Sequence, residues 1–189
     1  MTHFAAAAGI ALALLVPARA AVPGDPAGWQ TLFSDDFEHG DSAWNTLGNT
    51  PTAPTWAVED DAGNAVYSAS GHVMTTPSAG PWRDSHFHLR VKVISGQLHL
   101  YFRQMQCGSY FATLDGGPIS LMRMVGCPAN YTNLQTASTA FSLGVWHAID
   151  AVAVGGSIKL YLDGALAIDY VDSAPPPARR HWLGGAPRR

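Results

Sequence analysis

Apolar and polar residues alternate across positions 147–162, with a single break at Gly155-Gly156. A two-glycine break between alternating runs predicts a β-hairpin, because both central residues of the favoured tight turn need positive φ. Centring the turn there sets Ala153 against Ile158, Ala151 against Leu160 and Ile149 against Leu162. On the other side Asp150 meets Tyr161 and Val152 meets Lys159. One side is oily and the other mixed, as in an antiparallel sheet with one buried face. Asp163-Gly164 predicts a second turn into a third strand.

Residues 85–94 and 97–103 repeat the pattern around Ser95-Gly96. Phe87, Leu89, Val91 and Val93 alternate with His86, His88, Arg90 and Lys92; Leu98, Leu100 and Phe102 alternate with His99, Tyr101 and Arg103. Two long period-two runs flanking a glycine turn predict a second hairpin, in which Lys92 opposes His99, Arg90 opposes Tyr101 and His88 opposes Arg103. Residues 110–114 and 119–125 predict a third, turning at Asp115-Gly116-Gly117-Pro118. Counting outward from that turn brings Cys107 almost opposite Cys127, so a disulfide is expected to close the open end. Further strands are predicted over 31–37, 56–59, 64–68 and 72–75. Residues 38–55 read as a long polar loop holding Trp44, and 128–142 as a looser stretch. No segment of useful length has a helical period, so the fold class is all-β.

Composition narrows the picture. The 189 residues suit one domain with a sizeable core. Charged residues make up 13% and the net charge is -3, which argues against nucleic acid as a partner, since counterion release needs a basic excess. Residues 4–16 form an Ala/Leu-rich run too short to span a bilayer comfortably, followed by Ala18-x-Ala20, a small-residue cleavage pattern. Residues 1–20 are therefore expected to be a signal peptide, 21–30 a linker, and 173–189 a disordered Pro/Arg-rich tail. No other segment reads as a membrane span, so a secreted or periplasmic protein is expected, and export favours the Cys107–Cys127 bridge.

The polar side of the second hairpin is the strongest candidate site. His86, His88, Arg90, Lys92, His99, Tyr101 and Arg103 would share one face, rich in donors and free of acid. Such a face suits sugar hydroxyls or the acidic groups of a glycan, with Arg offering bidentate contacts. The competing readings are an ordinary solvated sheet face and, for His86, His88 and His99, a metal site that nearby Arg90 and Lys92 disfavour. Trp44 and Trp82, in polar loops, are candidates to stack on a sugar ring; Trp56 and Trp146 begin strands and are expected in the core.

The segment 31–172 resembles the concanavalin A-like lectin/glucanase superfamily, nearest to laminin-G-like and family-16 glycoside-hydrolase-like domains of the 3-keto-disaccharide hydrolase type. The resemblance rests on LFSDDFE at 32–38, W-x-D-x-x-F-x-L-x-V from Trp82 to Val91, GQLHLYFR at 96–103, and WHAIDAVAVGGSIKLYLDG at 146–164. It implies a two-sheet antiparallel jelly-roll sandwich with a concave face that often binds glycan and sometimes a structural calcium, for which Asp36 is the first-strand candidate. No other cofactor is implied. The chain departs from the family twice. It has no Glu-x-Asp-x-x-Glu, and a retaining glycosidase needs two carboxylates about 5 Å apart. The Pro/Arg tail also stands where the closing strands belong, which points to missing last strands or to a borrowed one. The leading expectation is an exported, non-catalytic carbohydrate-binding module. A glycoside-acting enzyme using Asp84 or Asp115 as acid/base, and a structural or adhesive module, are the alternatives.

Overall fold

A computed structural model describes residues 8–11, 29–48, 56–71, 73–80, 82–105 and 107–175. The Ala18-x-Ala20 motif, most of the expected linker and the tail from 176 onward lie outside the described residues. Within them the chain forms β1 (Ala8–Ala11), β2 (Trp44–Gly48), β3 (Ala57–Asp60), β4 (Ala65–Ala69), β5 (Val73–Pro77), β6 (Ser85–Val93), β7 (Leu98–Met105), β8 (Gly108–Leu114), β9 (Pro118–Val125), β10 (Asn130–Ala140), β11 (His147–Val154), β12 (Ser157–Leu162) and β13 (Ala165–Val171). No helix occurs among these residues.

The strands build an antiparallel jelly-roll-type sandwich. One sheet has seven strands in the order β13-β12-β11-β6-β1-β4-β3; the other has four, β10-β9-β8-β7. A small ribbon pairs β2 with β5. Leu89, Val91, Val93, Ile149, Ala151, Ala153, Ile158 and Leu160 point inward from the first sheet. They meet Leu100, Phe102, Tyr110, Leu114, Ile119 and Leu121 of the second. Two alternating faces thus share one dry layer, whose burial is the main favourable term in the fold.

The β11–β12 register is the one its glycines predict: Ala153 faces Ile158, Asp150 faces Tyr161, and Ile149 faces Leu162. Gly155 sits at φ 54 in the turn. Gly156 does not share that positive φ, and is glycine for a different reason: a Cβ there would run into the Asp172 carbonyl oxygen. β8 and β9 also pair as expected, and Cys107 and Cys127 are bridged with Cα atoms 5.4 Å apart. Reducing that bridge is expected to cost about 3 kcal/mol, because the closed loop restricts the unfolded chain. Urea unfolding with and without reductant measures it; coincident curves would contradict it.

Three expectations are corrected. Residues 31–37 form no strand. The Asp35 and Asp36 carboxylates accept the Phe37 and Glu38 amides and bend the chain there, with Phe37 at φ 62. Residues 128–142 hold β10, eleven residues long, whose mostly exposed edge position removes the apolar alternation that would announce it.

The third correction matters most for function. β6 and β7 are not a hairpin. β6 pairs with β1 and β11, while β7 pairs with β8 in the other sheet. The connection at Ser95-Gly96 crosses between layers. Period-two alternation reports which side of a strand is buried, not which strand lies beside it, and two strands facing each other across a core alternate just as a hairpin does.

Candidate functional site

The crossing divides the expected polar ladder. Phe87, Leu89 and Val91 turn inward, so His86, His88, Arg90 and Lys92 face outward from the seven-stranded sheet. Leu100 and Phe102 turn inward from β7, so His99 and Tyr101 face outward from the four-stranded sheet. The two outer faces point in opposite directions with the core between them.

On the seven-stranded side the basic groups are engaged within the protein. β6 lies beside β11, which brings His88 opposite Asp150. The Asp150 carboxylate meets His86 Nε2 at 2.6 Å and His88 Nδ1 at 2.8 Å. Burial alone would raise this carboxyl, but the hydrogen bonds from His86 and His88 outweigh it and hold the group far below the usual carboxylate range. Lys92 Nζ lies 2.5 Å from Asp61 Oδ2, which also accepts the Trp146 indole N–H at 3.0 Å. Arg90 and Lys92 both sit over the Trp146 ring, 5.4 and 5.0 Å from its centroid. The Trp146 ring, expected in the core, therefore packs against these two cations of the outer face.

Arg103 ties the layers together at the sandwich edge. Its Nε donates to the Arg83 carbonyl at 2.8 Å, one Nη to the Gly155 carbonyl, and the other to Asp84 Oδ1 at 2.9 Å. Asp84 also accepts the Gly155 amide at 3.1 Å, while Asp115 accepts the Gly117 amide within its turn. Trp82 stands against Phe33 with ring centroids 6.2 Å apart. Phe33 continues into Trp44, and Trp44 packs on Phe37 and Tyr67. Trp44 lies in β2, not a polar loop, and its indole donates to Asp35 Oδ2 at 2.8 Å. Asp36 caps its own turn, and among the described residues no group of three or more His, Cys, Asp or Glu converges as a metal cage.

The outer face of the four-stranded sheet is different. Tyr101 and Phe111 are cross-strand partners with rings 4.9 Å apart. His99 lies 4.9 Å from Phe111 and 6.1 Å from Tyr101. Tyr131, 59% exposed on β10, meets Phe111 edge-on at 6.1 Å. Burial pushes the Tyr101 hydroxyl up, with Tyr131 adding to the shift. Beside these rings, on the same side of β8, β9 and β10, lie Thr113, Ser120, Asn133 and Thr136. The Ser120 and Thr136 hydroxyls are 3.1 Å apart, and the Asn133 amide donates to Thr136 at 3.0 Å. An aromatic row next to hydroxyl and amide groups combines a stacking surface with directional donors and acceptors.

Phe111 and Tyr131, together with Thr113, Ser120, Asn133 and Thr136, are the members of this face that sequence reasoning missed. Phe111 belongs to a strand that was expected beside β9; its other neighbour, β7, was not. Tyr131 lies in 128–142, whose sequence reads as a looser stretch. The signal for both was available once β8 and β10 were placed in one sheet.

Residues 28–184 match the description 3-keto-alpha-glucoside-1,2-lyase-like domain over most of the chain. The chain belongs to the 3-keto-alpha-glucoside-1,2-lyase-like family. The matched span of this lyase-like domain holds β2 to β13 and leaves β1 outside it. Among solved structures, the carbohydrate binding module CBM66 from Bacillus subtilis is similar, with a TM-score of 0.53 and 22% identity. The likeness covers 69% of this chain and 80% of that one, and at this identity it speaks to the fold. No curated protein matches the chain significantly.

Proposed function

We propose that the chain is an exported, non-catalytic carbohydrate-binding module that holds a sugar on the outer face of its four-stranded sheet. The observation that carries this reading is the row His99–Tyr101–Phe111–Tyr131 beside Ser120, Asn133 and Thr136. Tyr101 and Tyr131 stack on a pyranose or furanose face, His99 supplies a polar edge, and the hydroxyl and amide groups bond the ring substituents. The fold shared with a module whose name is carbohydrate binding supports the reading, as does the Cys107–Cys127 bridge, which suits an oxidising compartment. The basic groups of β6 play no part in this binding, being committed to Asp150, Asp61 and Trp146.

A glycan array followed by calorimetry tests the proposal. Tyr101→Ala and Tyr131→Ala are each expected to weaken binding roughly tenfold or more, the loss typical of an aromatic anchor, while Arg90→Ala leaves it unchanged. Absence of binding to every neutral and acidic glycan, or tyrosine variants that bind like the parent, would reject it.

Family membership favours a second reading, a lyase acting on 3-keto-α-glucosides. Elimination across C1–C2 removes the proton beside the ketone and expels the glycosidic oxygen, so it needs a base at the sugar. His99 is the titratable imidazole on the aromatic face. Asp84 and Asp115, the carboxylates suggested by sequence, are held at the sandwich edge and in a turn. Release of the aglycone from a 3-keto-glucoside, abolished by His99→Ala with binding retained, would establish this reading over the first.

A further inference from the structure

The seven-stranded sheet has a seam. β4 and β6 do not bond to each other; β1, near the N-terminus, lies between them. Ala8, Gly9 and Ile10 pair antiparallel with Ala69, Ser68 and Tyr67 of β4. The same residues and Ala11 pair antiparallel with Val93, Lys92, Val91 and Arg90 of β6. A strand with neighbours on both sides commits its amides and carbonyls alternately to each. Without β1, the facing edges of β4 and β6 would stand unpaired across a gap one strand wide. Tyr67 and Val91, which flank that gap, are both fully buried. Such an edge, set among core residues, takes up an extended chain readily.

A second observation concerns which residues fill the seam. β1 lies outside the span matched by the family, 28–184, and inside the apolar run that reads as a secretory leader. One segment cannot be both discarded at the Ala18-x-Ala20 motif and retained as a covalent part of the sheet. We propose that the β4–β6 slot is a strand-acceptor site. In the uncut chain its own N-terminal segment is the donor. Once that segment is cleaved, the slot takes an extended, uncharged peptide strand running antiparallel to both neighbours. The position level with Tyr67 and Val91 calls for an apolar residue, because both partners lie in the core. The position level with Ser68 and Lys92 belongs to the opposite face and accepts a small or polar one. The slot lies in the sheet opposite the aromatic row, so it stands or falls separately from sugar binding.

The test begins with the full chain, carrying a specific protease site between Ala20 and Ala21, folded intact and then cut. The fragment 1–20 is expected to co-elute with the body through gel filtration, or, if it leaves, a labelled peptide of residues 4–16 is expected to bind in its place. In either form Ile10→Pro weakens the association about tenfold, since proline removes a ladder donor from a central strand. Uncut protein takes up no peptide. The proposal is overturned if the fragment leaves and the peptide does not bind the cut protein, or if uncut protein or the proline peptide binds equally well.

Discussion

Asp150→Ala is expected to lower the unfolding free energy by about 4 kcal/mol, the scale of losing two hydrogen bonds to one buried charged acceptor. The carboxylate sits in the middle of β11 with its side chain 5% exposed, and the His86 side chain beside it is equally buried. Alanine there removes the acceptor of two imidazole contacts, one of them to the buried His86. Asp150→Asn keeps an acceptor oxygen and is expected to cost less. The pair also sets a pH dependence. A carboxyl held low in the folded state adds stability above its unfolded pKa of about 3.9, and that stability is lost as pH falls toward the folded value. The parent protein is therefore expected to weaken below about pH 4, and Asp150→Asn to show a shallower acid limb. Urea unfolding from pH 7 down to pH 3 reads both effects. An Asp150→Ala midpoint matching the parent would mean that the two imidazoles find other partners.

The contact between Asp150 and His88 also shows what was legible in the chain and what was not. The β11–β12 and β8–β9 registers were readable because a glycine turn fixes both partner and offset within a few residues. The inward set was readable too, since burial imposes period two wherever one face is dry. Pairing between distant strands leaves no such local mark. His88 and Asp150 are 62 positions apart, and nothing near either residue names the other. The same gap in information turned β6 and β7 into a supposed hairpin and gathered His86, His88, Arg90, His99, Tyr101 and Arg103 onto one face. Half of that group is internal electrostatics, Arg103 is an edge tie, and His99 and Tyr101 stand on the opposite side of the protein. The aromatic row on that side leaves no mark in the sequence, because its members come from three strands and meet only in the folded sheet.

Asp172→Ala is expected to cost about 3 kcal/mol, because this one carboxylate joins the two layers. It follows β13 in the seven-stranded sheet, and its amide donates to the Gly156 carbonyl at 2.9 Å. Its Oδ2 accepts from Tyr110 of β8 at 2.6 Å and from Arg123 of β9 at 2.8 Å, while Oδ1 accepts the Ala174 amide at 2.9 Å. Removing it strands a fully buried phenol and a guanidinium whose Nε already lacks a partner among the described residues. Tyr110→Phe deletes a single hydrogen bond to a charged acceptor and is expected to cost about 2 kcal/mol. The pair titrates at both ends of the pH scale. Burial works to raise Asp172, but the Tyr110, Ala174 and Arg123 contacts prevail and lower it, so its contribution fades as pH falls below about 4. Burial, then the Asp172 bond and charge, raise Tyr110 well above an ordinary phenol. A phenol raised in the folded state adds stability below its unfolded pKa of about 10 and loses it as pH climbs past that value. Parent protein should therefore weaken above about pH 10, and Tyr110→Phe should lose this tyrosine's share of the decline. If Tyr110→Phe keeps the whole alkaline limb, or Asp172→Ala unfolds at the parent midpoint, then the Arg103 tie and hydrophobic contact, not the Asp172 carboxylate, join the two sheets at this end of the sandwich.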